Sequence, residues 1–171
     1  MRHLVKCLAA VVLLTTPGSV WGNGPDARAA FERLKQLAGA WLATAGDGKG
    51  AATSFEIIGG GSTIVEKYRD PRVGPGNEMV TMYHLDGARL LLTHYCMAKN
   101  QPRMQLAFFD PATGELRFEF LDATNLASPG AGHMHSARYT LENPDRFTTV
   151  WDFVKDGKVA YSETQHFTRS R

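Results

Sequence analysis

Six histidines and two cysteines are spread over 171 residues, and four of these side chains fall in pairs two apart: His94 with Cys96, and His133 with His135. In an extended strand, residues two apart point to the same face. Leu90 and Leu92 share the face of His94 and Cys96, which directs that pair inward. An imidazole and a thiolate on one strand, met by two imidazoles on another, would supply three nitrogens and one sulfur, a zinc or copper donor set. The other reading is that Cys96 packs as a small hydrophobe while the histidines hydrogen-bond to neighbours or line a polar pocket. The spacing matches no zinc-finger or ribbon pattern, His133 sits in a Gly-rich loop, and a metal site demands a strict ligand geometry. The second reading is adopted and no metal is assigned.

Other polar residues extend the set. Val159, Tyr161, Glu163, Gln165 and Phe167 alternate along the last strand, so a carboxyl and an amide share a face with large apolar groups. Polar groups inside a barrel imply water or a ligand beside them, because dry burial without partners is costly. Arg103, placed in a turn after Pro102, could grip a carboxylate through its two-pronged guanidinium; as a solvated turn residue it would do nothing. His84 stays open: a two-residue turn at Asp86-Gly87 puts it on the face opposite His94, and a three-residue turn puts both on one face. The aromatic half of the interior comes from Phe118 and Phe120, which alternate with Arg117 and Glu119, and from Trp151, which shares a face with Phe147 and Phe153. The candidate binding residues are therefore His84, His94, Cys96, Arg103, Phe118, Phe120, His133, His135, Trp151, Glu163 and Gln165. No catalytic set is assigned, because the serines lie in loops and no Gly-x-Ser-x-Gly or paired-carboxylate spacing is present. Gly59-Gly60-Gly61 leads into a strand, not a helix, and so cradles no phosphate.

The elements that must position these residues are almost all strands. Val80 to Phe120 is a run of β-branched and aromatic segments cut at Asp86-Gly87, Asn100-Gln101-Pro102 and Asp110-Pro111-Ala112-Thr113-Gly114, which is hairpin chemistry. Before it stand a strand led by Gly39-x-Trp41, strands over 53–58 and 63–69, and a Pro/Gly-rich loop over 70–77. After it come a loop over 126–132 and strands over 134–141, 146–154 and 158–168. Ahead of all of them, Asp26 to Ala38 has apolar residues at helical spacing behind a capping Asp26. The fold class is all-β: about ten antiparallel strands, up and down, with one N-terminal helix. Ten such strands left open would expose two edges, and closure into a barrel removes both.

The first 22 residues read as a leader rather than as part of the barrel. Arg2, His3 and Lys6 precede the apolar stretch from Cys7 to Leu14, and Val20-Trp21-Gly22 offers small residues before a cut at Asn23. Residues 1–22 are expected to be a signal peptide and residues 23–171 the domain, exported to a periplasmic or extracellular space. The apolar stretch is too short to span a bilayer, and no transmembrane segment is expected after its removal. The 19 Lys and Arg, less Arg2 and Lys6, match the 17 Asp and Glu. No basic stripe remains to follow a phosphate backbone, so nucleic acid is not an expected partner. With Cys7 removed, Cys96 is left without a disulfide partner.

Leu37-Ala38-Gly39-x-Trp41 followed by a meander resembles the calycin superfamily of lipocalins and fatty-acid-binding proteins. Together with Tyr83-His84-Leu85-Asp86-Gly87, Thr93-His94-Tyr95-Cys96, Asn100-Gln101-Pro102-Arg103 and Phe167-Thr168-Arg169, it is similar to a group of uncharacterised exported bacterial proteins of that architecture. The resemblance covers most of residues 27–169. It implies a calycin-like barrel with the Trp41 indole plugging its base. It implies no catalytic residues. The same fold includes haem-binding barrels of the nitrobindin type, with a ligand histidine on a late strand. His166 is the nearest counterpart, though the glycine-rich first strand of those proteins is missing. The reading that follows is an exported barrel holding a small, largely apolar or amphipathic molecule, a lipid or one bearing a carboxylate. A metal- or haem-binding barrel using the interior His and Cys residues, and an enzyme on a calycin frame, are the alternatives. The cofactor is left unknown.

Overall fold

The computed structural model describes residues 26–170. Helix α1, Ala27–Lys35, precedes ten strands: β1 Gly39–Gly46, β2 Ala52–Ile58, β3 Thr63–Arg69, β4 Met79–Asp86, β5 Arg89–Tyr95, β6 Gln101–Asp110, β7 Glu115–Thr124, β8 His133–Asn143, β9 Arg146–Lys155 and β10 Lys158–Arg169. Each strand pairs antiparallel with the next, and β1 pairs with β10 to close the barrel. The all-β up-and-down architecture expected from the sequence is the one observed. The leader expected over residues 1–22 lies outside the described residues. Among the described residues, no helix is long and apolar enough to cross a membrane.

Closure depends on a local irregularity. The β1–β10 register shifts between Ala43 and Ala45, a bulge of the kind that bends and twists a strand. Just beyond it Gly46 has φ +84°, and a Cβ there would collide with the Thr164 carbonyl across the seam. Only glycine meets both demands.

Up-and-down topology puts α1 and the β2–β3, β4–β5, β6–β7 and β8–β9 turns at one end. Asp26 caps the helix by accepting from the Ala29 N–H at 2.9 Å. The helix stops at Lys35, short of the expected Ala38, because Gln36 already serves as its C-cap and Gly39, at φ +118°, opens β1. Ala27, Ala30, Phe31 and Leu34 bury one face of α1 in the core. Trp41 is 1 % exposed; its indole donates to the Leu37 carbonyl at 2.7 Å and meets Phe147 edge-on at 4.8 Å. The Arg169 guanidinium lies 4.0 Å over the same ring, held by its bonds to the Ala38 and Gln36 carbonyls. Phe147 stacks in turn on Phe167, and Phe55 approaches it edge-on. This end is an apolar, close-packed plug, and it leaves the other end of the barrel free to be polar.

Candidate functional site

The polar half of the interior begins one layer above the plug. On β3, Ile64, Glu66 and Tyr68 point inward between outward Val65 and Lys67. Glu66 is only 6 % exposed, yet three hydroxyls converge on it: Thr53 donates at 3.0 Å, Tyr83 at 2.5 Å and Tyr139 at 3.1 Å. The Tyr83 and Tyr139 hydroxyls also lie 2.6 Å apart, so the single Tyr139 proton serves either Glu66 or Tyr83. Burial pushes the Glu66 carboxyl above its ordinary range, against the pull of the three hydroxyls, and pushes both phenols up as well.

Register carries this layer across the neighbouring strands. Glu66 pairs with Thr81, and Thr81 with His94, so three polar side chains stand in a row on β3, β4 and β5. His94 is 5 % exposed, with Nδ1 2.9 Å from the Thr81 hydroxyl and its ring 5.0 Å from that of Trp151 on the opposite wall. Burial alone depresses its pKa to about 4, which keeps the imidazole neutral. From β9 and β10 the paired residues Thr149–Gln165 and Trp151–Glu163 face the row. Gln165 donates to the Tyr68 hydroxyl at 2.6 Å and to Glu163 at 3.0 Å.

These walls enclose a chamber of about 30 Å³, lined by Glu66, Thr81, His94, Thr149, Trp151 and Gln165 among others. That is room for a water or a small polar group, not for an acyl chain. Above it the barrel widens into an open mouth of about 420 Å³ between Asp47, Asp70, Arg72, Met97, Tyr161 and Glu163. Tyr68, Met79 and Glu163 border both spaces, so the chamber is the floor of the mouth. Two buried atoms on its lining, His94 Nε2 and Thr149 Oγ1, make no hydrogen bond among the described residues. A carboxyl pushed toward its neutral form and an uncharged imidazole in one chamber can each donate or accept a hydrogen bond, or exchange a proton.

The residues singled out in the sequence separate into those the structure gathers and those it does not. His94, Trp151, Glu163 and Gln165 line the chamber. Phe118 is fully buried beneath, edge-on to Tyr83 and Tyr139. Cys96 falls just past the end of β5, partly buried, with its sulfur accepting from the Ala98 N–H and its thiol pKa raised by burial. His133 opens β8 rather than ending a loop, and its Nε2 lies 3.1 Å from His135 Nδ1. Phe120 stacks on His135, with ring centres 4.8 Å apart, and tilts against His133. These three form a separate cluster where β7 and β8 meet. The β6–β7 register shifts by one between Arg103 and Met104, leaving Leu121 unpaired just after Phe120, and the β8–β9 register shifts between Met134 and Ser136, leaving His135 unpaired and out of the simple alternation.

One expectation is corrected, for Arg103, and two residues left open, His84 and His166, are placed. Arg103 lies within β6, not in a turn, and its side chain is 46 % exposed on the outer face in an ion pair with Asp122. His84 pairs with Leu91 on the face opposite His94, because the β4–β5 turn is the two-residue kind, here Gly87-Ala88. His166, the haem counterpart, is exposed on the outer face beside the Thr148 hydroxyl. The soft-metal set also fails to assemble: among the described residues no three His, Cys, Asp or Glu side chains are grouped to hold an ion. Sequence reasoning missed Glu66, Tyr68, Thr81, Tyr83, Tyr139 and Thr149. The one usable signal was the shared inward face of Ile64, Glu66 and Tyr68. No family model matches the chain, and no curated protein matches it at a significant level.

Proposed function

We propose that the chain is an exported small-molecule-binding barrel of the calycin type, with its site at the open end. The ligand's body lies in the mouth against Met79, Met97, Val73 and Tyr161, and its polar tip enters the chamber. The observation that carries this reading is the pair of buried, unpartnered atoms, His94 Nε2 and Thr149 Oγ1, on the floor of an open, partly apolar mouth. Each buried polar atom left unpaired costs about 1–3 kcal/mol, a cost that a ligand group or water in the chamber offsets. The chamber's size turns the reading away from an enclosed fatty acid and toward a compact amphipathic molecule. Concave, mostly apolar sites with a few converging polar groups are the usual form of such pockets.

The test is native mass spectrometry of the exported protein, paired with titration by a neutral solvatochromic dye. Met79→Trp fills the border between mouth and chamber at a half-buried position. Dye binding by the wild type and its loss in Met79→Trp, with the melting temperature held, is the expected result. No adduct and no dye binding by the wild type would end this reading.

A further inference from the structure

The charge around the open end narrows the class of ligand. The mouth carries three carboxylates, Asp47, Asp70 and Glu163, and one cation, Arg72, while Glu66 lies in the floor. The charge of Arg72 is already spent. Its Nε donates to both Asp70 oxygens at 2.9 Å, its Nη2 joins the same carboxylate, and its Nη1 donates to the Asp47 carbonyl. This pairing lowers the Asp70 carboxyl from its ordinary pKa. Of the other two, Asp47 accepts from the Thr164 N–H. Glu163 stands at the border of mouth and chamber, its Oε1 accepting from Gln165 at 3.0 Å and 3.9 Å from Arg72. Its other oxygen has no partner among the described residues.

An incoming carboxylate would therefore meet the Glu163 carboxylate with no free cation among the residues that line the mouth, and like charges in a half-buried site repel strongly. A cation meets the reverse. Tyr68, Trp151 and Tyr161 put aromatic rings among the lining residues, a kind of group that attracts ammonium, and Met79 and Met97 add polarisable sulfur. Directly below, His94 Nε2 and Thr149 Oγ1 supply unused hydrogen-bonding capacity at buried positions. In the tautomer whose Nδ1–H donates to the Thr81 hydroxyl, the unpartnered Nε2 keeps a lone pair, which suits an N–H donor.

We infer that the ligand of this site is a small organic amine, its ammonium held between Glu163 and the chamber floor and its compact apolar or aromatic body in the mouth. This rests on the reading of the open end as a binding site and adds the sign of the charge it selects.

Three probes with one aromatic body and different tips separate the two claims: phenethylamine, phenylpropanoate and phenylethanol, measured by titration calorimetry at low salt. Phenethylamine should bind about tenfold or more tighter than phenylpropanoate, a gap of roughly 1.4 kcal/mol. Glu163→Gln should weaken phenethylamine by about fivefold or more while leaving phenylethanol within about twofold, and added salt should weaken only the amine. Glu163 is partly exposed, so this variant folds; its circular dichroism and melting temperature verify that. Binding of phenylethanol or phenylpropanoate as tight as that of the amine leaves the site standing and overturns the charge assignment. An amine affinity unchanged in Glu163→Gln overturns it as well. Failure of all three probes to bind overturns both claims.

Discussion

Acid sensitivity should isolate His94. The side chain is buried and neutral, with its pKa lowered from 6.5 to about 4 by loss of solvent alone. In the unfolded chain the imidazole titrates near its ordinary value, so between those limits the unfolded state binds more protons and stability falls as pH drops. From about pH 7 to about pH 5, linkage makes this loss roughly 2 kcal/mol from one residue. His94→Phe removes the titration and keeps a ring against Trp151. It forfeits the bond to Thr81 but also removes the unpartnered Nε2, so its stability near neutral pH should lie within about 1 kcal/mol of the wild type. The measurement is urea unfolding of both proteins at the two pH values. Carboxylates such as Asp70, Asp122 and Asp152, whose lowered pKa values also make acid destabilising, act in both proteins and cancel in the difference. The wild type should lose about 2 kcal/mol more than the variant. Parallel losses, within about 0.5 kcal/mol, would refute the reasoning and mean that His94 is already charged in the fold and paired across the chamber with Glu66 or Glu163.

Glu66 should titrate in the opposite sense. Its folded pKa is raised above 4.5, so the stability it contributes is present at low pH and is lost as pH rises through the folded value; Glu66→Gln should flatten the part of the decline that sets in above about pH 4.5 in a pH series of unfolding curves. Trp41→Ala removes the plug of the closed end and should cost about 3–5 kcal/mol by denaturant unfolding, against under about 1 kcal/mol for a surface change. N-terminal sequencing of exported material should begin at or near Asn23; retention of residues 1–22 would remove the export reading.

The number and order of strands were legible because turn chemistry marked them. Asp86-Gly87 and Pro111 to Gly114 fall where the chain reverses, and β3 occupies the expected 63–69. Closure was legible for a different reason: ten consecutive antiparallel strands without a cover leave two edges that something must pair. What local pattern could not supply was register beyond one hairpin. His84 and His94 lie ten residues apart in adjacent strands, and their relative face turns on a single residue in the turn between them. Bulges near Phe120 and His135 are equally silent in sequence, since an extra residue in a strand looks like any other.

The chamber was half legible, and the halves divide by what each residue needs to be recognised. His94, Trp151, Glu163 and Gln165 declare themselves by type and alternation within one strand. Glu66 does not, since a glutamate between Val65 and Lys67 fits either face of a strand. Its burial is tolerable only because Thr53, Tyr83 and Tyr139 bring hydroxyls from three other strands. Those donors read in sequence as ordinary strand residues, and their convergence exists only once register and closure are fixed. The same interior holds a second kind of polar group. Glu66 is satisfied, whereas His94 Nε2 and Thr149 Oγ1 are not, though all three are buried in one layer. A stability role explains the first and not the other two, because an apolar side chain at either position would avoid the penalty. The close-packed plug around Trp41 and Phe147 shows that this barrel can fill its lumen with apolar rings where only stability is at stake. Under the proposed binding function, the polar atoms left unpaired a layer above it, beneath an open mouth, are the ones a molecule entering from outside would meet.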